Sequence, residues 1–503
     1  MKILLVYPEY EDTFWNFKKV LKIIGKKSAY PPLGLLTVAA MIPKEWEKKL
    51  VDLNCEKLKD EHIKWADYVF ISSIIGQKES AKKIISLVKK MGKPIVAGGS
   101  LFTIGWEEFP SVDVFVLGES EDIFPEFIKD LQEGKLKKTY SSEYKYPDIK
   151  KSPIPAWDLV KLSHYNSVCI QFSRGCPFNC EFCDIDYLNG RNPRLKGKEQ
   201  FLAELDALYD QNWRGAIFLV DDNFIGNKSE LKKEYLPAII KWQKQKKYPF
   251  IFSSQVSINM ADDLKLMHLM RDAGFATVFV GIETPDPDGL EECGKFQNKN
   301  RDLIESIKKI QNLGIEVNAG FIIGFDSDKA SIFQKQIEFI QKSGIVMAMV
   351  SLLNVSPKSR LYQRLDNADR ILHTDKNTEL SVLNFIPNMD KDELIEGYGK
   401  VLKTIYSPKC FYARIRTFLT EYKPKQMKKP KVRFYHIKGF FASMLILGLL
   451  REGRHYYWNL IFWSLFKKPG LLPYAFGLPL GLIHFKSFAW TAQYNTYFRE
   501  KTV

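Results

Sequence analysis

The chain has 503 residues, which is too long for one hydrophobic core and predicts about three domains. With 45% hydrophobic and 26% charged residues it is globular, which excludes a disordered chain and one wholly embedded in a membrane. The formal charge of +15 points to an anionic partner (nucleic acid, membrane surface or acidic substrate) or to a lysine-rich background, and charge alone leaves these open.

The first segment alternates short apolar runs with helical ones. Strands are predicted over 3–7, 49–53, 68–71, 94–97 and 114–117, with an amphipathic helix over 78–91 between two of them. The N-terminus, MKILLVYPEYED, reads as a buried strand and not as a signal peptide. Such alternation implies a doubly wound parallel sheet, whose ligand crevice lies beyond the carboxyl ends of its strands. The loops at those ends are 8–15, 72–77, 98–103 and 118–121. Glycines in the last two would let backbone approach a ligand.

Residues 135–160, polar and carrying Pro147, Pro153 and Pro155, read as a linker. A second alternating series has predicted strands over 168–173, 216–220, 250–254, 277–282, 315–323 and 347–353. Six βα units on this spacing suit a second doubly wound sheet or a partial barrel. The α/β pattern stops near 355. A helical module is predicted over 356–422 and a basic, aromatic and apolar tail over 423–503. That gives domains at 1–134 and 161–355, with the helical module and tail following.

Of seven cysteines, Cys55, Cys169, Cys293 and Cys410 are scattered, while Cys176, Cys180 and Cys183 are crowded together. This is no disulfide framework; it suits a reducing compartment and a metal site. The segment RGCPFNCEFCD has C-x3-C-x2-C spacing, so three thiolates can hold one face of a cubane cluster and leave the fourth iron open. A zinc site would want a fourth ligand nearby; His164, a strand's length ahead, leaves that open on spacing. Gly175 and Pro177 suit a tight loop.

This triad, following the first strand of a six-unit βα series, resembles the radical S-adenosylmethionine (SAM) superfamily. The resemblance implies a [4Fe–4S] cluster on Cys176, Cys180 and Cys183, with SAM on the open iron. Reductive cleavage of SAM then yields a 5′-deoxyadenosyl radical. It places Phe182 beside the adenine, Asp221, Asp222 and Asn223 near the SAM amino group, and Ser254 and Gln255 at the third strand end. Glu283, in GIET, resembles the ribose-contacting acid, and Gly320 and Gly324 resemble the adenine-side glycine motif.

The preceding sheet resembles the cobalamin-binding subclass through YPPLGLLTVAAMIP, VDLN, ISSIIGQKES, AGGS and LGESE. Cobalamin is then implied over the strand ends, with Ser73, Gly98, Gly99 and Glu119 as contacts. The cobalt-ligating D-x-H-x-x-G has only Asp60–Glu61–His62 as a near match, in a helix and followed by Trp65, so no histidine ligand is implied. GYGKVLKTIYSPKCFYARI, NFIPNMD and FLVDDNFIGNK resemble one branch, whose best-known members are hopanoid C-2 methylases. That implies cobalamin-dependent methylation of an unactivated carbon of a lipid-like substrate, fed by an electron donor such as flavodoxin or ferredoxin. Two alternatives are a radical enzyme forming lipid C–C bonds or rings without methyl transfer, and a non-catalytic cobalamin or cluster sensor.

Between Lys423 and Lys438 lie Lys425, Lys428, Lys429, Lys431 and Arg433, with no acid. Apolar segments follow at 439–450, 456–466 and 469–485, each shorter than the roughly 20 residues of a spanning helix. They suit a cytoplasmic protein lying at the inner face of a membrane, or a helical cap packed on the barrel. Nucleic acid is not expected, because it leaves the apolar segments unexplained.

Overall fold

The computed structural model describes residues 1–11, 16–142, 145–372, 383–425 and 434–486. The chain divides into two compact units. One comprises Met1–Asn16, Lys27–Pro177 and Asp184–Asp222; the other comprises Phe17–Lys26, Phe178–Cys183 and Asn223–Val503.

In the first unit, strands β1 (Lys2–Tyr7), β2 (Glu47–Asp52), β3 (Tyr68–Ser72), β4 (Ile95–Gly98), β5 (Val114–Leu117) and β6 (Thr139–Ser141) form a sheet in the order β2-β1-β3-β4-β5-β6. Every pair is parallel. Alternate residues serve two cores, which is why the central strands are apolar throughout. Leu4, Val6, Val69 and Ile71 meet Ala81, Ile84, Ile85 and Val88 of the helix Lys78–Lys90. Ile3, Leu5 and Phe70 meet Phe124, Phe127 and Leu131 of the helix Phe124–Glu133 on the other face. The strand order reverses between β1 and β3, so the crevice opens where their carboxyl ends diverge. There Gln77 Nε2 donates to the Pro8 carbonyl (2.6 Å), and the Glu11 N–H donates to that of Gly76 (3.0 Å).

Residues 135–160 are not a free linker. They supply β6 at the sheet edge, and the chain beyond is tied down on the same unit. The Ala156 N–H donates to the Leu36 carbonyl (3.1 Å), and Gln200 Nε2 reaches the carbonyls of Ile149 (3.2 Å) and Ser152 (2.7 Å). The prolines that suggested a linker break helices here without releasing the chain. This unit also holds β7 (Ser167–Ile170), a short antiparallel ribbon of β8 (Ser173–Arg174) and β9 (Arg194–Leu195), and β10 (Ala216–Leu219), which pairs parallel with β7.

In the second unit, β11 (Ile251–Val256), β12 (Phe275–Glu283), β13 (Glu316–Ile323) and β14 (Ala348–Leu352) pair in parallel in chain order. Odd–even alternation runs through β11, the middle of β12, and β13. Phe252, Ser254, Val278, Val280, Val317 and Ala319 are buried, whereas Ser253, Gln255, Thr277, Phe279, Asn318 and Gly320 share the more open face. Register aligns them in rows, Gln255 with Phe279 and Asn318, and Gly281 with Gly320. Two chain-consecutive residues cannot both face a site on a strand, so Ser254 points away from the face that carries Gln255.

Helices Lys391–Ile405 and Pro408–Glu421 pack on the helix Ser331–Ser343. Arg414 is buried there, donating to Gln341 Oε1 (2.7 Å) and to the carbonyls of Ile405 (2.8 Å) and Val346 (3.1 Å). Burial pulls its pKa down to about 10. The tail segments form helices Phe434–Leu445, Arg454–Lys467 and Leu472–Gly477, with inward aromatic contacts such as Tyr412–Tyr457 (6.3 Å) and Tyr406–Phe485 (4.9 Å). Among the described residues no helix is long and apolar enough to cross a membrane. Lys428, Lys429, Lys431 and Arg433 lie outside the described residues.

Arg414→Met keeps the packing volume but strips three acceptors of their donors. It should cost about 1–3 kcal/mol, read as a lowered midpoint in thermal unfolding; an unchanged midpoint would show that the guanidinium anchors nothing.

Candidate functional site

The cysteine segment begins after β8, and its first half is fixed from within the first unit. Asp221, buried at the end of β10, accepts the Phe172 and Ser173 N–H groups through Oδ1 (2.8 Å each). Asp222 accepts the Gly175 N–H (2.7 Å) and both its oxygens meet Asn189 Nδ2 (2.9 and 3.1 Å). The Cys176 N–H donates to the Gly190 carbonyl (3.1 Å). Gly175 has φ +97°, and a Cβ there would lie 2.7 Å from the Asn192 carbonyl, so glycine is required on both counts. Arg174, just before it, is clamped by Glu119 (2.6 Å) and Glu121 (2.8 Å), and Glu119 also binds Arg194.

The second half is fixed from within the second unit. The Glu181 N–H donates to the Cys293 carbonyl (2.9 Å), and the Leu361 N–H to that of Glu181 (2.9 Å). Arg364 grips both Glu181 oxygens (2.7 and 3.1 Å) and Asp326 (2.7 Å), which Arg370 also holds (2.7 Å). Arg360 donates to the Asn179 carbonyl (2.5 Å). Fork-shaped guanidiniums on carboxylates fix both direction and distance.

Glu283 ends β12 with φ +63°, a strained value for a non-glycine residue. Asn298 holds this bend by donating to the carbonyls of Gly281 (3.1 Å) and Ile282 (3.0 Å). The Glu283 carboxylate is ion-paired with Lys295, whose Nζ lies 6.0 Å from the Phe182 ring centroid. Burial works against the Lys295 ammonium, yet Glu283 and the neighbouring Cys180 thiol hold its pKa above the ordinary value. A Cβ at Gly281 would overlap both partners of this pair, and one at Gly320 would lie 4.0 Å from Glu283 Oε2. The ring of Phe325 lies 6.4 Å from that of Phe182. Gly324 has φ +112°, and the Asp328 carboxylate caps its N–H (2.8 Å).

The chain matches the family models of the B12 binding domain over residues 24–128, the radical SAM superfamily over 170–367, and a domain of unknown function, DUF4070, over 359–496. It is 37% identical over 491 residues to an uncharacterized methyltransferase of Synechocystis sp., covering 96% of this chain and 91% of that one. It is 34% identical over 418 residues to the hopanoid C-2 methylase of Rhodopseudomonas palustris, covering 82% and 78%. This chain belongs to the cobalamin-binding radical SAM methyltransferases. Among solved structures, the radical SAM methyltransferase TsrM from Kitasatospora setae, with cobalamin and a [4Fe–4S] cluster bound, shares its fold at a TM-score of 0.62. Identity there is 13%, over 97% of this chain and 99% of that one.

The cofactors of such a methyltransferase are a [4Fe–4S] cluster, SAM and cobalamin, and the residues present fit each of them. Cys176, Cys180 and Cys183 are part-exposed and in no disulfide, whereas Cys169 and Cys293 are buried, and burial pushes the Cys293 thiol up to about 12. Cluster ligands are thiolates, which burial in apolar surroundings disfavours, and the crowded triad is not so buried. Among the described residues no group of three His, Cys, Asp or Glu is suited to holding a single metal ion. For SAM, the second unit offers the Glu283 carboxylate, which Gly281 leaves room for, and Asn318 Oδ1, which has no partner among the described residues. For a corrin, Ile74 and Ile75 stand exposed at the carboxyl end of β3, an apolar floor that the sequence reading overlooked.

Several expected contacts do other work in this methyltransferase. Asp221 and Asp222 hold the backbone of the cysteine segment. Asn223 turns to Ser257, accepting its N–H (3.1 Å). Ser73 is fully buried, with its N–H on the Gly98 carbonyl (3.2 Å). A Cβ on Gly99 would lie 2.7 Å from the Ser73 carbonyl and one on Gly98 2.9 Å from that of Val116. Close approach of neighbouring strand ends therefore already accounts for both glycines. Glu119 gives its carboxylate to two arginines. His62 accepts the Lys59 N–H (3.4 Å) at the start of its own helix, as an ordinary helix residue.

Burial raises the Asp221 pKa to about 7, above its unfolded value near 3.9. Between those values the folded state binds more protons, so stability falls as pH rises from about 4 to about 7. Asp221→Asn keeps the Oδ1 acceptor without the charge. Its stability relative to the parent should rise by roughly 1–4 kcal/mol across that window in urea unfolding. A pH-independent difference would contradict the burial argument.

Proposed function

We propose that this enzyme methylates an unactivated carbon of a membrane lipid of the hopanoid type. The observation that carries this reading is the 34% identity to hopanoid C-2 methylase over 82% of the chain. Cys176, Cys180 and Cys183 are the cluster ligands. When bound, the cluster and SAM would supply radical chemistry for hydrogen abstraction, and cobalamin would supply the methyl group.

The chain's own residues bind, orient and exclude. Glu283, pointed by its left-handed backbone and steadied by Lys295, would accept hydrogen bonds from the ribose hydroxyls. Phe182 and the bare backbone at Gly320 and Gly324 flank the adenine, and Gln255 with Asn318 lines the open strand face. Asp221 and Asp222 are positioning residues for the cysteine segment. Ile74 and Ile75 exclude water beneath the corrin, with Ser73 fixing their loop. A low-potential donor such as flavodoxin or ferredoxin supplies the electron.

Replacing any one of the three cysteines with Ala should abolish iron–sulfur absorbance and SAM cleavage while leaving far-ultraviolet circular dichroism unchanged. Full iron content in any of the three variants would remove that residue from the ligand set. Lys295→Met should raise the Kd for SAM about tenfold, roughly 1.4 kcal/mol, in binding measurements on the reconstituted protein. An unchanged Kd would mean that the pair does not steady the site.

The substrate is tested by lipid mass spectrometry of a strain lacking the gene and fed methyl-labelled methionine. One lipid should lose its labelled methyl group. If every lipid keeps its label, the lipid assignment fails. Deoxyadenosine formed without labelled methyl transfer would instead mark a bond- or ring-forming enzyme.

A further inference from the structure

The helix Phe434–Leu445 continues without a break into the π-turn Ile446–Leu450. Its inner side is well partnered. Ser443 Oγ bonds the Tyr457 hydroxyl (3.1 Å) and the Phe476 carbonyl (3.0 Å), and Leu447 and Gly448 are buried. The outer side carries Ile437, Phe441, Leu445 and Leu449, spaced four residues apart so that they fall in one stripe. All four are exposed, Phe441 at 63%, and Leu450 beyond them is 72% exposed.

The helix Arg454–Lys467 repeats the arrangement. Leu460, Ile461 and Ser464 face inward, while Phe462, Leu465 and Phe466 face out, Phe466 at 78%. Trp458 ties the two stripes together: its Nε1 donates to the Gly448 carbonyl (2.9 Å), and its ring lies 6.1 Å from that of Phe462. Elsewhere among the described residues, large apolar side chains are exposed singly or as the pair Ile74–Ile75. Contiguous apolar surface of this kind marks an interaction face.

Charge selects the partner. From Lys423 to Lys486 the sequence has one carboxylate, Glu452, against a surplus of lysine and arginine. Lys438, Arg454 and Lys467 are exposed on these helices, and Glu452 already faces Lys486 (3.9 Å). Two copies meeting through this face would oppose like charges. An anionic bilayer matches both features, with apolar side chains in the acyl boundary and cations among the headgroups.

We infer that the outer faces of 437–450 and 458–467 form a docking surface that seats the enzyme on anionic lipid bilayers without crossing them. The inference stands apart from the substrate reading, since it concerns where the enzyme sits and not which carbon it methylates.

The test is co-sedimentation of the full chain with vesicles of phosphatidylcholine, with and without phosphatidylglycerol. The protein should pellet with the anionic vesicles, and binding should fall as salt rises. Phe441→Glu combined with Phe466→Glu should weaken binding at least about tenfold, with the thermal midpoint unchanged because both positions are exposed. Should that variant unfold, hydrogen exchange on the parent protein serves instead: vesicles should slow exchange in 437–467. The inference is overturned by absence of binding to anionic vesicles, by equal binding of the variant, or by no vesicle-dependent protection. It is equally overturned if the substitutions convert a dimer to a monomer in light scattering, which would make this face an interface between copies.

Discussion

Backbone amides of the cysteine segment rest on buried carboxylates, and the site depends on that contact. A run of three cysteines within eight residues has no ladder or helix to hold its shape. Its conformation must come from side chains reaching in from regular elements. Asp221 and Asp222 do this for residues 172–175, and Glu181 with Arg364 and Arg360 does it for 179–181. Losing either partner of such a bond leaves the other buried and unsatisfied. The cost is visible in Asp221, whose remaining oxygen has no partner among the described residues. A loop held this firmly can present thiolates without closing on itself.

The same economy of means recurs at the strand ends. Parallel strands deliver their last residues to one edge, and this chain equips that edge with groups regular strands do not tolerate. Glu283 adopts a left-handed backbone so that its carboxylate turns back over Gly281 and Gly320. Lys295 then shares with Glu283 the space that Gly281 leaves open. In the first unit the glycines at 98 and 99 serve a plainer purpose, letting neighbouring strand ends meet. What remains for a ligand there is the exposed apolar pair at Ile74 and Ile75.

Much of this was legible in the residues. The strands of both series fall within a few residues of the apolar runs that predicted them, because buried parallel strands leave near-continuous hydrophobic signatures. The cysteine spacing named the cluster and its family. Other features were hidden for physical reasons. β6 is three residues long and edge-bound, so it carries no run to detect. The ribbon of β8 and β9 pairs Arg174 with Arg194 across the cysteine segment and the short helix Ile185–Asn189. Asp221 and Asp222 were noticed as strand-end acids, but only coordinates tell an acid that binds a ligand from one that binds the next loop. Ser254 lies on the buried side of β11, a parity that a strand reading could have supplied. Lys295, Asn298 and Arg364 belong to no motif, and their roles arise from contacts distant in sequence. The tail's composition left open a membrane surface or a helical cap, and the helices show which side chains face in.

The central claim is that Cys176, Cys180 and Cys183 hold a cluster with one iron left for SAM. Electron paramagnetic resonance of the reduced, reconstituted protein, recorded with and without SAM, tests it most directly. The account predicts a clear change in the cluster's g-values when SAM is added, because the cofactor coordinates the open iron. An identical spectrum in both states, at full cluster occupancy, would contradict it.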